Sequence, residues 1–174
     1  GGCVRDLLLG ILPKDFDIAT TAKPNQVKRL VHNAYVIGKR FRLVLVKRGD
    51  LLLEVATFRR DRTEDDNEEE LPEGDNVFGS AEEDAQRRDF PINSMFYDPM
   101  NGKLIDHCEG LADLKRHCVK IIGPPEKRLA EDSIRILRAI RLAHKINFSL
   151  EPALRKAIKK MAYTLAESAL PRRR

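Results

Sequence analysis

A mixed α/β domain that runs into an all-helical segment is the fold class the sequence predicts, on three observations. Residues 36–46 and 51–58 alternate apolar and polar or run continuously apolar, and Lys47-Arg48-Gly49-Asp50 separates them, so they read as a β-hairpin. Helical periodicity precedes and follows that hairpin, which places helices on a sheet. Past Pro124-Pro125 the spacing is helical throughout, so the sheet ends near Ile122.

Composition bounds the function classes. With 174 residues the chain is large enough for a real core, as one domain or one and a part. No run approaches the roughly 20 apolar residues of a membrane span, and neither a span nor a signal peptide is expected. Cys3, Cys108 and Cys118 form no Cys-x-x-Cys pair and leave an odd thiol, which argues for a reducing cytoplasm and against structural zinc. The net charge of +5 favours a polyanionic partner. Acidic residues crowd positions 61–75, leaving the remainder strongly basic.

In chain order, Gly1-Gly2 precedes a helix whose free N–H groups can face an anion. Arg5 lies in its first turn, placed to fork onto a phosphate, and Val4, Leu7, Leu8 and Ile11 are its expected buried face. The alternative is an ordinary amphipathic helix with Arg5 on the surface. Pro13-Lys14-Asp15-Phe16-Asp17-Ile18 follows. If it is extended, Asp15 and Asp17 point one way while Phe16 and Ile18 point into a core. Two carboxylates on one face repel unless a cation sits between them, and Mg²⁺ takes such oxygens together with substrate phosphates. A solvated strand end would look the same in isolation. Joined to the Gly-Gly turn, the pair reads as a phosphate cradle followed by a metal seat.

GGCVRDLLLG…PKDFDIATTAKP resembles the signature of the class II nucleotidyltransferases, the tRNA nucleotidyltransferase/poly(A) polymerase family, which includes CCA-adding enzymes and bacterial-type poly(A) polymerases. The resemblance implies a polymerase-beta-like nucleotidyltransferase head at residues 1–122 and the start of a helical neck at 123–174. It also implies that the strand running into the Gly-Gly turn and the distal RNA-binding body lie outside this sequence.

The remaining segments are read beside that resemblance. Lys23-Pro24-Asn25 starts a helix to about His32, after a turn at Thr20 or Thr21. Lys39, Arg40 and Arg42 open the hairpin as a solvated strand start or as an RNA-phosphate contact; IGKRFRLVLV is similar to the motif of the poly(A) polymerase branch, where His often stands at the place of Leu45. Glu54 interrupts an apolar interior strand. A lone buried carboxylate is costly unless paired or metal-bound, so Glu54 either faces solvent or completes a three-carboxylate site; the resemblance, within EVATFR, implies the third catalytic acid. Residues 59–74 read as a solvated loop without a metal role.

RRDFPINSMFY is similar to the family's RRDF-x-IN motif, with Pro91 in place of the usual Thr. Arg88 and Asp89 are then implied to organise the nucleotide's ribose and phosphates. Residues 97–106 read as a hairpin around Asn101-Gly102, residues 110–114 as a short helix, and 118–122 as a last strand. On the first neck helix Asp132, Arg135 and Arg138 are spaced by three and share a face, while Ile136, Leu137 and Ile140 bury the other. Surface salt bridges explain that spacing equally well. EDSIRILRAIR, however, resembles ED-x-x-R-x-x-R, whose Asp and first Arg act as an amino-acid template for the base.

The resemblance therefore implies an enzyme that adds AMP from ATP to an RNA 3′ end with two Mg²⁺. Asp15, Asp17, Glu54 and Asp89 would be catalytic, with Asp15 and Asp17 the metal ligands. Gly1, Gly2, Arg5, Arg88, Asp89, Asp132, Arg135 and Arg138 would bind the nucleotide. A CCA-adding enzyme shares these motifs and is the alternative. An inactive RNA-binding module is the alternative of another class, against which the three retained acids speak.

Overall fold

The computed structural model describes residues 1–38, 43–62 and 77–165. It divides into two compact units, Gly1–Arg87 and Arg88–Arg174.

The first unit begins with helix α1 (Gly2–Leu8) and strand β1 (Asp17–Thr20), followed by helix α2 (Pro24–Leu30). Pro24 suits the first helical position because no N–H is required there, and the Gln26 side chain accepts from the Lys23 N–H at 2.7 Å. Strands β2 (Ala34–Ile37), β3 (Leu43–Arg48) and β4 (Leu51–Thr57) complete a sheet of order β1-β4-β3-β2. β1 runs parallel to β4 and the other pairs are antiparallel, so the sheet is mixed, as expected. Gly49, at φ +59°, makes the β3–β4 turn, where a side chain would be strained. Val44, Val46, Val55 and Ala34 lie on one face of the sheet and pack with Val27 of α2. Each fully buried valine contributes about 1.5–3 kcal/mol. The opposite face carries Asp17, Glu54, Leu45 and Tyr35, which follow one another across the register.

Short strands β5 (Arg59–Arg60) and β6 (Val77–Phe78) pair before helix α3 (Ala81–Gln86). The loop expected to start at Arg59 thus starts with a strand, because Arg59 and Arg60 find partners distant in sequence; positions 63–76 lie outside the described residues. α3 opens with a capping box: Ser80 Oγ accepts from the Glu83 N–H at 3.2 Å, and Glu83 accepts from the Ser80 N–H at 2.7 Å.

Two expectations about this unit are corrected. Phe16 and Ile18 are 49% and 42% exposed rather than in a core. β1 is the edge strand, and the apolar cluster under the sheet is centred on β3 and α2, too far across to cover it. Of the expected buried face of α1, only Val4 is buried; Leu7, Leu8 and Ile11 are exposed, and Arg5 and Asp6 are buried in their place.

The second unit opens with a 3-10 turn at Pro91–Asn93 and the hairpin β7 (Phe96–Asp98) and β8 (Lys103–Ile105), as the Asn-Gly signal predicts. Helix α4 (Gly110–Lys115) is capped by Asp106, whose carboxylate accepts from the N–H groups of Cys108, Gly110 and Leu111 at 2.8–3.2 Å. A Cβ on Gly110 would sit 2.3 Å from the Pro91 carbonyl oxygen, so only glycine fits there. Strand β9 (Cys118–Val119) is shorter than expected.

Helices α5 (Pro125–Glu131) and α6 (Ile134–Ile146), strand β10 (Ser149–Leu150) and helix α7 (Pro152–Met161) follow. This segment is not wholly helical: β10 pairs in parallel with β9. Nor is the expected first neck helix continuous. It breaks at Asp132, which is extended (φ −151°, ψ 102°) and accepts from the Ile134 N–H at 3.0 Å, the preference of Asp for helix starts. On α6 the buried residues are Ile136, Ala139, Leu142, Ala143 and Ile146, while Leu137 and Ile140 are exposed, contrary to the expected stripe. Among the described residues no helix is long and apolar enough to cross a membrane.

Candidate active site

The first unit gathers the acids. In the parallel pair β1–β4, Asp17 stands opposite Glu54, so both carboxylates project from the same face of the sheet. Asp15 lies two residues earlier, ahead of the strand rather than within it. All three are exposed, and among the described residues no donor or cation serves any of them. Glu54 occupies an interior strand, as expected, but the face it occupies is open. Exposed there, Glu54 carries no burial cost, and what distinguishes it is its place opposite Asp17. Like charges directly opposite each other are destabilising, and no cation among the described residues relieves them. The donor set is all oxygen and anionic, which suits a hard divalent cation with remaining positions for substrate oxygens. Among the described residues no group of three or more His, Cys, Asp or Glu stands close enough to hold a metal by itself.

The Gly-Gly end is arranged differently from the expectation. Gly1 is the N-cap of α1, its carbonyl accepting from the Val4 and Arg5 N–H groups at 3.1 and 3.2 Å. A Cβ at Gly2 would meet only the Arg5 guanidinium, at 3.7 Å, an ordinary contact. Arg5 is not a free surface cation: it is 5% exposed and its guanidinium forks onto Asp6, with Nε donating to Oδ1 at 2.7 Å.

The second unit gathers the arginines around Asp89. Arg135 Nε donates to Asp89 Oδ1 at 2.8 Å, and Arg138 Nη1 donates to Asp89 Oδ2 at 2.9 Å. Arg135 Nη1 also donates to the Arg128 carbonyl and, at 2.9 Å, to Glu131 Oε2. Glu131 accepts from Arg128 Nη1 at 2.8 Å, and Arg128 Nη2 reaches the Arg88 carbonyl at 3.1 Å. Burial alone would push the Glu131 carboxyl up; hydrogen bonds and charge from Arg135 and Arg128 more than reverse this and hold it below its ordinary value. Burial likewise disfavours the Arg135 cation, yet Glu131 and Asp89 raise its pKa.

A guanidinium has five N–H donors in a rigid fork. Nε and Nη1 of Arg135 hold it in place, and its Nη2 edge donates to nothing among the described residues. Arg135 is thus a fixed donor with one edge to spare, the property that reading a base requires. Asp132 sits beside it, 3.9 Å from Arg138, with one oxygen engaged by the start of α6. Arg88 is turned elsewhere: its Nη1 donates to the Asn93 carbonyl at 3.1 Å and its guanidinium lies 4.9 Å from the Phe96 ring centre, a cation–π contact.

The structure therefore brings together Asp17 with Glu54 in one unit, and Asp89 with Asp132, Arg135 and Arg138 in the other. Lys39, Arg40 and Arg42 lie outside the described residues. Glu131 and Arg128 carry no role in the sequence reading, although both hold Arg135. The i,i+4 spacing of Glu131 and Arg135 was a signal for the first; Arg128 offered only its distance of three from Glu131.

The first unit thus presents a mixed sheet with an exposed acidic pair, and the second a helical guanidinium held with one edge free among the described residues. The Poly A polymerase head domain family matches residues 1–120. Poly(A) polymerase I of Salmonella typhi is 45% identical over 173 residues, 95% of this chain and 37% of that protein. The CCA-adding enzyme of Lactobacillus helveticus is 38% identical over 159 residues, 91% of this chain and 39% of that protein. Among solved structures, the Bacillus stearothermophilus CCA-adding enzyme in complex with CTP superposes with a TM-score of 0.83 at 36% identity, over 96% of this chain and 39% of that one. The chain belongs to the class II tRNA nucleotidyltransferase/poly(A) polymerase family, and spans well under half the length of these relatives.

Proposed function

We propose that the protein to which this chain belongs is a template-independent polynucleotide adenylyltransferase that adds AMP from ATP to RNA 3′ ends. In this reading residues 1–122 are the catalytic head and 123–174 open the neck. The RNA 3′-oxygen attacks the α-phosphorus of ATP, and pyrophosphate leaves. Asp15 and Asp17 hold two Mg²⁺, which when bound favour the ionised 3′-oxygen and neutralise charge on the leaving phosphates. Glu54, opposite Asp17, orients the attacking hydroxyl or accepts its proton.

Gly1, Gly2 and Arg5 form the triphosphate side, Arg5 acting from its pairing with Asp6. Arg88 and Asp89 position the ribose. Asp132 accepts from the adenine amino group, while the spare edge of Arg135 donates to a ring nitrogen, with Arg138 steadying Asp89. Lys39, Arg40 and Arg42 contact RNA phosphates, and the protein acts on RNA in the cytoplasm.

The observation that carries ATP-only addition is the higher identity to poly(A) polymerase I, 45% against 38% for the CCA-adding enzyme. The close structural likeness to a CCA-adding enzyme bound to CTP supports the second reading, CCA addition to tRNA. The test uses the full-length protein with an unstructured RNA oligomer and a tRNA lacking its CCA end, each with ATP alone and CTP alone. Long A-tails on the oligomer with poor CTP use are expected. Efficient CTP addition to the tRNA, with no long tail on the oligomer, would overturn the choice.

A further inference from the structure

Helix α7 has its apolar residues fully committed: Leu154, Ala157 and Ile158 are 0%, 2% and 8% exposed. Opposite them stand Arg155, Lys156, Lys159 and Lys160, all exposed, and the helix carries no acid. Arg155 and Lys159 are i,i+4 neighbours, as are Lys156 and Lys160, and like charges so spaced weaken a helix by about 0.2–0.5 kcal/mol per pair. Among the described residues Lys160 alone has an anion, Glu126 of α5 at 2.8 Å. Among the described residues Arg155, Lys156 and Lys159 have no partner. Helix-dipole complementarity accounts for Lys159 and Lys160 in the last turn but not for Arg155 and Lys156.

Folding therefore gains little from this ridge, and a bilayer has no apolar face of α7 left to receive. An extended polyanion does fit it. Arg155 and Lys159 are about 6 Å apart along the helix axis, comparable to successive phosphates of an extended strand. We propose that Arg155, Lys156 and Lys159 form a second RNA-phosphate surface, which holds the strand whose 3′ end is extended by contacts made to the backbone and blind to sequence. This deepens the RNA reading above and rests on it.

The experiment measures binding of a labelled oligoadenylate by the full-length protein as a function of salt. It compares wild type with R155Q/K156Q/K159Q and with a charge-matched control, K28Q/R29Q/K47Q, on exposed positions of the first unit. Glutamine keeps helix propensity, and circular dichroism verifies folding. Each phosphate contact contributes about 0.7 to the slope of log affinity against log salt for a single strand, so losing three flattens it by about 2 and lowers affinity at low salt on the order of tenfold or more. The KM for ATP should stay the same, and the control should bind as wild type does. An unchanged slope in the α7 variant, or an equal loss in the control, overturns the surface while leaving the RNA reading intact. Wild-type protein that binds no oligoadenylate overturns both, whereas binding to phosphatidylserine vesicles that the α7 variant alone loses, with oligoadenylate binding kept, overturns the surface only.

Discussion

Asp17 and Glu54 face each other across the parallel pair β1–β4, two exposed carboxylates with no donor between them among the described residues. Such a pair is unfavourable in itself, and a cation nearby relieves the repulsion.

Asp17→Asn should therefore reduce nucleotide addition on the order of 100-fold or more, since even indirect supports of a metal site cost 10–100-fold. The same change should leave the metal-free protein as stable or slightly more so, because it removes the like-charge contact. Asp15→Ala should behave alike in addition. The check pairs a 3′-extension assay with thermal unfolding on full-length protein; near wild-type extension by either variant would sink the metal assignment.

Arg135→Ala should narrow the preference for ATP over CTP. Loss of a hydrogen bond to a buried base edge costs roughly 1–3 kcal/mol, about 5- to 150-fold in discrimination. Competition between the two nucleotides reads this directly. If both rates fall together and the ratio holds, Arg135 serves only to anchor Asp89.

Arg5→Ala should destabilise the fold by about 1–3 kcal/mol, because it removes a charge-assisted hydrogen-bond donor from the buried Asp6 carboxylate. Denaturant unfolding measures it. A variant with unchanged stability and weakened ATP binding would show Arg5 to be a phosphate ligand alone.

The Glu131 carboxyl is held below its ordinary value, so it favours the folded state above the unfolded pKa of about 4.3 and loses that contribution as pH falls through the lower folded value. Unfolding midpoints followed down to about pH 3 should show an acid limb in wild type that Glu131→Gln flattens. The same variant should lower ATP selectivity at neutral pH, since Arg135 loses a charged support. Coincident acid limbs in the two proteins would contradict this account.

Much of this was legible from residues alone. The β3–β4 hairpin announced itself by alternation around a Gly-containing turn, and Asp17 and Glu54 by acids set among apolar strand residues. What escaped was decided by partners remote in sequence. Phe16 and Ile18 have the pattern of a core strand, but an edge position leaves their face uncovered. The burial of Arg5 against its neighbour Asp6 has no signal in the helical spacing. β9 and β10 are two residues each, too short for any propensity to mark. The break at Asp132 was readable, since Asp-Ser before an apolar run is helix-start chemistry; the spacing of three that followed it suggested one continuous helix instead.

At Gly110 the absence of a side chain is itself the contact, for the backbone there lies where any Cβ would strike the Pro91 carbonyl. The turn after Arg88 and Asp89 and the start of α4 are therefore geared: neither shifts without carrying the other. A chimera that exchanges the RRDFPIN segment for a relative's would have to bring the matching helix start with it. The interchangeable part of this head is larger than its motif.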